Sequence, residues 1–164
     1  MVLRGVRQAR WYMEYRAPWL DGEDVPADPL GDLRTSSNCI SVWELETDLS
    51  NLELLITANA AARDKPDPFD YLIFDDSCLG DLGIGIAQTE GKTPCPEANI
   101  YHRDLTDLTG LKLVRLIRLI WSQDVEAKRE GRKNVESKLS QALASGSIAA
   151  DNLSASMRRN LGIE

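Results

Sequence analysis

The chain is poor in the side chains that most often carry catalysis and metal binding. It contains one histidine, His102, and three cysteines, Cys39, Cys78 and Cys95. A histidine can act as a general base near neutral pH, so a single histidine limits the mechanisms available. The cysteines are odd in number and far apart, unlike the paired framework of a small secreted domain. Reduced thiols and a cytoplasmic location are therefore expected.

Long apolar runs are also missing. The most apolar segment, residues 111–121, contains Lys112, Arg115 and Arg118, and it is shorter than the roughly 20 residues that span a bilayer. Near the N-terminus, four arginines interrupt the apolar stretches, so no secretory signal is predicted. We therefore expect a soluble protein with no membrane association.

Motifs for nucleotides and metals are absent as well. The glycine-rich residues 79–91 lack the phosphate-loop lysine and the dinucleotide spacing at a strand–helix junction. Cys78, Cys95 and His102 include neither a close cysteine pair nor a close histidine pair, so their spacing matches no common zinc pattern. The sequence thus predicts no cofactor and no metal site.

The length and composition indicate an ordinary globular domain. The chain has 164 residues, of which 43% are hydrophobic and 27% are charged. This length and hydrophobic content are sufficient to form a hydrophobic core, and the composition argues against extensive disorder. We expect one domain over residues 1–164.

Charge is strongly segregated along the chain. Residues 18–107 carry five basic and nineteen acidic side chains, a net charge of −14, whereas residues 1–17 carry +3 and residues 108–164 carry +4. The simplest outcome is that the basic ends fold back onto the acidic middle. The alternative is that an acidic face meets a basic protein. Duplex nucleic acid is not expected as a partner, because its phosphates require a larger basic footprint.

Two segments of the first half predict strands on either side of a helix. Residues 39–45 alternate in polarity, residues 69–75 form a short apolar run, and residues 52–62 between them are good helix formers. This order has the length of a crossover between parallel strands, and an antiparallel arrangement stays open. With a further strand at residues 6–15, we expect an α+β or α/β fold whose small sheet has three to four strands.

The second half predicts helices that pack on this sheet. Residues 105–122 are apolar almost all round and should form a buried core helix. Its polar stripe, Lys112, Arg115 and Arg118, can pair with acidic residues or form a small anion-binding row. Residues 123–164 are predicted as a C-terminal helical segment.

Prolines, glycines and acids dominate residues 18–38, which predicts an exposed acidic loop. Long loops in compact domains are often functional. The candidate binding residues of this loop are Asp21, Glu23, Asp24 and Asp28.

The weak catalytic candidates are His102 and three aspartates. Asp104 is close enough in sequence to orient His102, although it could equally cap the helix that follows. Asp75 and Asp76 come where a buried strand ends, which is a common ligand position in parallel sheets. Strand-terminating surface acids are the more ordinary interpretation.

Three functions follow from these observations. The first is a non-catalytic protein-interaction or accessory module, whose acidic, loop-rich middle or polar C-terminal helix contacts a protein partner or a second copy of the chain. The second is a small hydrolase or transferase with a site near Asp75, Asp76 and His102. The third is a ligand-binding regulatory domain. A cavity with convergent polar groups would favour the last two, whereas an exposed apolar patch rimmed by charge would favour the first.

Overall fold

A six-stranded sheet forms the centre of the protein. The computed structural model describes residues 1–13, 22–33, 35–123, 125 and 127–163. The strands are β1 (Val2–Val6), β2 (Ile40–Glu44), β3 (Phe69–Phe74), β4 (Gly85–Gln88), β5 (His102–Thr106) and β6 (Ala127–Glu130). They lie side by side in the order β4-β5-β2-β1-β3-β6, and each neighbouring pair is antiparallel.

Seven helices accompany the described strands. They are α1 (Arg10–Met13), α2 (Ala27–Asp32), α3 (Leu52–Ala61), α4 (Pro96–Asn99), α5 (Gly110–Ser122), α6 (Arg132–Ser145) and α7 (Ala155–Leu161), with short 3₁₀ turns at Gly80–Leu82 and Ala150–Asn152. Among the described residues, none of these helices has the length and apolar character needed to cross a bilayer.

The expected mixture of helix and sheet is confirmed, but six strands replace the predicted three to four. β5 lies where a loop and the start of the core helix were predicted, and β6 lies inside a predicted helix. Neither strand is an apolar run, and Leu105 is the one buried aliphatic side chain of β5. β5 pairs with β2 and β6 pairs with β3, and this pairing holds both segments in the sheet. The periodicity of the sequence alone therefore did not predict them.

The first strand is also displaced from its predicted position. β1 ends at Val6, and Arg10–Met13 form α1, although residues 6–15 were predicted as a strand. Tyr12 is buried in this helical turn, where its phenol donates to the backbone oxygen of Pro29 at 3.3 Å. Residues 14 and 15 lie outside the described part of the chain. Aromatic content therefore indicated burial here but not strand geometry.

The strand–helix–strand prediction for residues 39–75 is confirmed in its elements, β2, α3 and β3. The two strands run parallel to each other, as a crossover requires, but they are not neighbours. β1 lies between them and is antiparallel to both, pairing Leu3 with Trp43 on one side and with Ile73 on the other.

The sheet buries both of its faces. One face packs against α3, α6 and α7 through a cluster that includes Leu3, Trp43 and Phe69. The opposite face packs against α1, α2 and α5 through a cluster that includes Val2, Val6 and Leu72. Alternation along β1 therefore sends its side chains to two separate cores.

The predicted core helix is shorter and more one-sided than expected. It begins at Gly110, after the N-cap residue Thr109, whose side chain accepts a hydrogen bond from the Lys112 amide. Its buried side chains are Leu116, Ile117, Ile120 and Trp121. Leu111 is 61% exposed, so α5 contacts the sheet through one face only.

The two other predicted segments contain unexpected elements. Within residues 18–38, α2 forms and Leu33 is buried, so the described part of this segment is not simply an exposed loop. Within residues 123–164, α6 and α7 confirm the predicted helices, but β6 precedes them.

Ion pairs connect the charge blocks. Lys138 of α6 pairs with Glu53 of α3, and Arg129 lies 3.5 Å from Asp70. The amino group of Met1 lies 3.0 Å from Asp76. Basic groups from both ends therefore contact acidic residues of the middle, as the charge pattern predicted.

Candidate functional site

The sheet opens between β1 and β2. β1 pairs with β3 over all five of its residues, but it pairs with β2 only at Val2 and Leu3. Beyond Leu3 the two strands separate, and the Arg4 side chain spans the gap, with Nη1 donating to the backbone oxygen of Ser41 at 2.8 Å. A gap in strand pairing leaves room beside the backbone of β1 for another molecule.

Gly5 permits close packing at this opening. A methyl group on Gly5 would lie 3.0 Å from Cε2 of Phe69, closer than ordinary van der Waals contact. The absent side chain therefore lets the Phe69 ring pack directly over β1. Phe69 in turn supports Arg63, whose guanidinium lies 4.7 Å from the ring centre, an ordinary cation–π geometry.

A cavity of about 660 Å³ occupies the opening, and we call it the basic cleft. Among the described residues, four cationic side chains and two carboxylates line it, a net charge of +2 for these six groups in a chain of net charge −7. Neutral polar side chains and His102 complete the polar lining. The charged residues are Arg4, Arg7, Arg63, Lys92, Asp32 and Asp67.

The carboxylates of the basic cleft already have partners. Asp32 accepts hydrogen bonds from the Arg7 amide at 3.1 and 3.2 Å and from the Tyr12 phenol at 3.2 Å. Asp67 pairs with Lys65 at 3.0 Å. Their acceptor atoms are thus largely used within the protein, and the cleft presents mainly hydrogen-bond donors.

Arg4 is the most constrained of these donors. Its Nε is buried and has no hydrogen-bond partner among the described residues. Burial lowers the pKa of the guanidinium, and the negative charge of Asp32 opposes that shift. An arginine stays charged even so, because its ordinary pKa lies far above neutrality. A partly desolvated guanidinium at the wall of a cavity is a favourable partner for an oxyanion.

Arg63 has a similar environment just beyond the end of α3. Its Nη1 donates to the backbone oxygen of Pro68 at 3.0 Å. Burial lowers the pKa of Arg63, and Asp67 and Asp70 oppose the shift. The hydrogen bond and the Phe69 ring fix the direction of this side chain before any ligand arrives.

His102 lines the basic cleft from β5. It is paired with Trp43 across the strands, and the two rings meet edge to face with their centres 4.9 Å apart. Nδ1 lies 2.8 Å from the Thr89 hydroxyl, and the residue is only 9% exposed. Packing and this hydrogen bond hold the imidazole in one orientation at the wall of the cleft.

The predicted carboxylate partners of His102 lie elsewhere. Asp104 belongs to β5 rather than to a helix cap, and it accepts a hydrogen bond from the Ser41 hydroxyl at 3.3 Å. Asp75 and Asp76 follow β3, which is separated from β5 by two strands, a distance of about 14 Å. The four candidates therefore do not form one site.

Each of the two adjacent aspartates has a local structural contact. Asp75 accepts hydrogen bonds from the amide and the hydroxyl of Ser77, both at 2.9 Å, and these bonds lower its pKa. The side chain of Gln123 binds the Asp75 backbone, and Asp76 pairs with the N-terminal amine. These contacts are typical of a loop that closes the end of a strand.

None of the described residues of the two predicted binding clusters lines the basic cleft. Lys112 donates to the backbone oxygens of Gly83 and Asp107, so it joins two loops rather than forming an anion-binding row. Arg115 is exposed, and Arg118 is partly buried and has an interaction of its own. The acidic residues Glu23, Asp24 and Asp28 are exposed, whereas Asp21 lies outside the described residues.

No metal site emerges from the described residues. No three histidine, cysteine, aspartate or glutamate side chains within them come together as ligands. All three cysteines are free thiols, with Cys95 buried and Cys78 exposed.

The basic cleft was not predicted from the sequence. Its main cations, Arg4, Arg63 and Lys92, are far apart in the chain, and only the fold unites them. One local signal existed, since Arg4 occupies a side-chain position between Val2 and Val6 on the same face of β1. An arginine between two buried valines must have a special environment.

Comparison of the chain with protein-family models, with curated proteins and with solved structures gives no match.

Proposed function

We propose that this protein binds a small oxyanionic ligand in the basic cleft. The observation that carries this proposal is the half-buried guanidinium of Arg4, which lines the cavity together with three other cations, while Asp32 and Asp67 already have hydrogen-bond or ion-pair partners. Phosphate esters and carboxylates supply acceptors that can pair with these cations. A ligand-binding domain was one of the three functions expected from the sequence.

The size of the cleft favours an organic anion over a free inorganic one. A volume of about 660 Å³ falls within the range of small-molecule sites, roughly 300–1,000 Å³. Arg4 and Arg63 would hold the anionic group, and the ring of Phe69 and the Asn59 amide offer contacts for the remainder of the molecule. Phosphate monoesters with a compact body fit this description.

Calorimetric titration with phenyl phosphate at low salt tests the proposal. Arg4→Gln should weaken binding by about 10–100-fold, the loss expected for a hydrogen bond to a charged group. Arg115→Gln is the matched control, because Arg115 is exposed on α5 and outside the cleft. Phenol, which lacks the anionic group, should not bind measurably.

Two results would contradict this function. One is a folded wild-type protein that takes up neither phenyl phosphate nor inorganic phosphate at millimolar concentration. The other is unchanged affinity in both Arg4→Gln and Arg63→Gln, with circular dichroism confirming that each variant is folded. In either case the cations of the cleft would have a purely structural role.

Catalysis at His102 stays a prediction. Of the predicted catalytic residues, His102 alone lines the basic cleft, so an enzyme would need other groups there. Loss of turnover in His102→Ala, with phenyl phosphate binding retained, would support that role.

An interaction role and a cytoplasmic location also stay predictions. Glu23, Asp24 and Asp28 are exposed and accessible to a partner, and three free thiols fit a reducing compartment. Charge reversal of these three residues should weaken partner capture if the acidic segment is the contact surface.

A further inference from the structure

A second surface, separate from the basic cleft, lies at the outer edge of the sheet. β4 is the end strand, and its four residues pair with β5 on one side only. Its outer backbone groups therefore face no strand of the described sheet. Such an edge can accept another extended chain by adding a strand.

Two shallow grooves adjoin this edge. Their volumes are about 390 and 320 Å³, and both are lined by Gln88 of β4 and by Ile100. Ile100 is 62% exposed and lies between the grooves. Neither groove shares a lining residue with the basic cleft. An exposed isoleucine with a recess on each side can receive alternate side chains of an extended peptide.

The grooves carry negative charge. Glu90 lines one, and Glu44 and Glu46 line the other, where Arg103 is the single cation. Arg103 pairs with Glu44 and donates to the backbone oxygens of Ile100 and His102, so this pair is neutral and the remaining glutamates are Glu46 and Glu90. Glu46 accepts a hydrogen bond from the Tyr101 phenol at 3.1 Å. We call β4, Ile100, Glu46 and Glu90 the acidic edge.

We propose that the acidic edge binds an extended, basic segment of a partner protein as an additional strand beside β4. Main-chain hydrogen bonds would come from the free edge, an apolar side chain would pack on Ile100, and lysine or arginine side chains would meet the glutamates. A second copy of this chain is disfavoured as the occupant, because two such edges would bring glutamates against glutamates. Nucleic acid is disfavoured by the same negative charge.

Selection from a displayed library of random eight-residue peptides tests this inference, because it requires no candidate partner. Peptides enriched on the wild-type protein should carry lysine or arginine at alternate positions around an apolar residue. Hydrogen exchange should then show slower exchange of the β4 amides in the presence of a selected peptide.

Matched variants locate the binding. Ile100→Asp should weaken the binding of a selected peptide by at least about tenfold, as expected when a central contact of an interface is removed. Leu111→Asp is the control, because Leu111 is equally exposed, at 61%, but lies on α5. Glu90→Lys should weaken the binding of the same peptide several-fold at low salt and by a smaller factor at high salt.

Three outcomes would overturn the inference. They are failure of the library to enrich any sequence on a folded protein, enrichment of acidic peptides, and unchanged affinity in Ile100→Asp. Concentration-dependent dimerisation abolished by Ile100→Asp would also overturn it, because the occupant would then be a second copy of the chain.

Discussion

Strand pairing stops at the gap between β1 and β2 and at β4, one of the two end strands of the described sheet, and these two regions carry opposite charge. The basic cleft lies inside the sheet, where β1 and β2 separate, and it is lined by Arg4, Arg63 and Lys92. The acidic edge lies outside it, where β4 has no outer neighbour, and it is lined by glutamates. Similar backbone geometry is therefore combined with side chains suited to different ligands.

The comparison shows that charge along the sequence does not predict charge in space. Arg63 and Lys92 belong to the block of residues 18–107, whose net charge is −14, and yet they line the basic cleft. Packing turns neighbouring acids elsewhere: Glu90, two residues before Lys92, lines a groove of the acidic edge instead. The charges of the side chains that line each region, rather than the net charge of the sequence block, determine which ligand the region attracts.

The largest expected effect concerns the scaffold on which both regions depend. Leu116→Ala or Ile117→Ala on α5 should lower the free energy of unfolding by roughly 2–5 kcal/mol, because each removes buried methyl groups and leaves a cavity. Urea denaturation measures this change. A loss below about 0.5 kcal/mol in both variants would mean that α5 does not support the sheet. The basic cleft and the acidic edge would then not depend on α5.

Sequence patterns predicted the elements that carry their own apolar signal. β2, β3 and α3 lie close to their predicted positions, because alternation, an apolar run or a run of good helix formers marks each of them. β5 and β6 carry no such signal, and their strand geometry depends on backbone partners that are distant in sequence.

The candidate site was less predictable than the fold. His102 was identified as a candidate, and it does line the basic cleft. Its expected partners, Asp75 and Asp76, were chosen on the premise of parallel neighbouring strands, which the antiparallel sheet does not have. Residues such as Arg4 become candidates only when the gap between β1 and β2 is known.

A smaller effect should distinguish the cleft from the rest of the sheet. Gly5→Ala places a methyl group 3.0 Å from the buried Phe69 ring, so it should cost about 1–3 kcal/mol of stability through overpacking. Displacement of Phe69 should also weaken phenyl phosphate binding, because Arg63 stacks on this ring. Gly31→Ala in α2, where the added methyl group has open space, is the control and should be neutral or slightly stabilising. Equal melting temperatures for the two variants would contradict the close packing of Phe69 over β1.

The smallest effect, a few-fold change in affinity as the pH falls, should distinguish the basic cleft from the acidic edge. Burial raises the pKa of Asp32, against the opposing effects of the Arg7 amide and the Tyr12 phenol. As the pH falls from 7 through this raised value, Asp32 takes up a proton and the basic cleft loses a negative charge. Benzenesulfonate, which stays anionic throughout, should therefore bind more tightly in acid.

A selected basic peptide bound at the acidic edge is the comparison, because it binds away from Asp32. Titrations of benzenesulfonate and of a selected basic peptide between pH 7 and pH 4 measure both trends. These titrations use the His102→Gln variant, which has no imidazole in the cleft. Adding Asp32→Asn to this variant should make the affinity for benzenesulfonate independent of pH. If the affinity for benzenesulfonate still rises in acid when Asp32 is replaced by asparagine, another group takes up the proton. Parallel trends for the two ligands would mean that the overall charge of the protein, rather than the local charge of each region, governs binding.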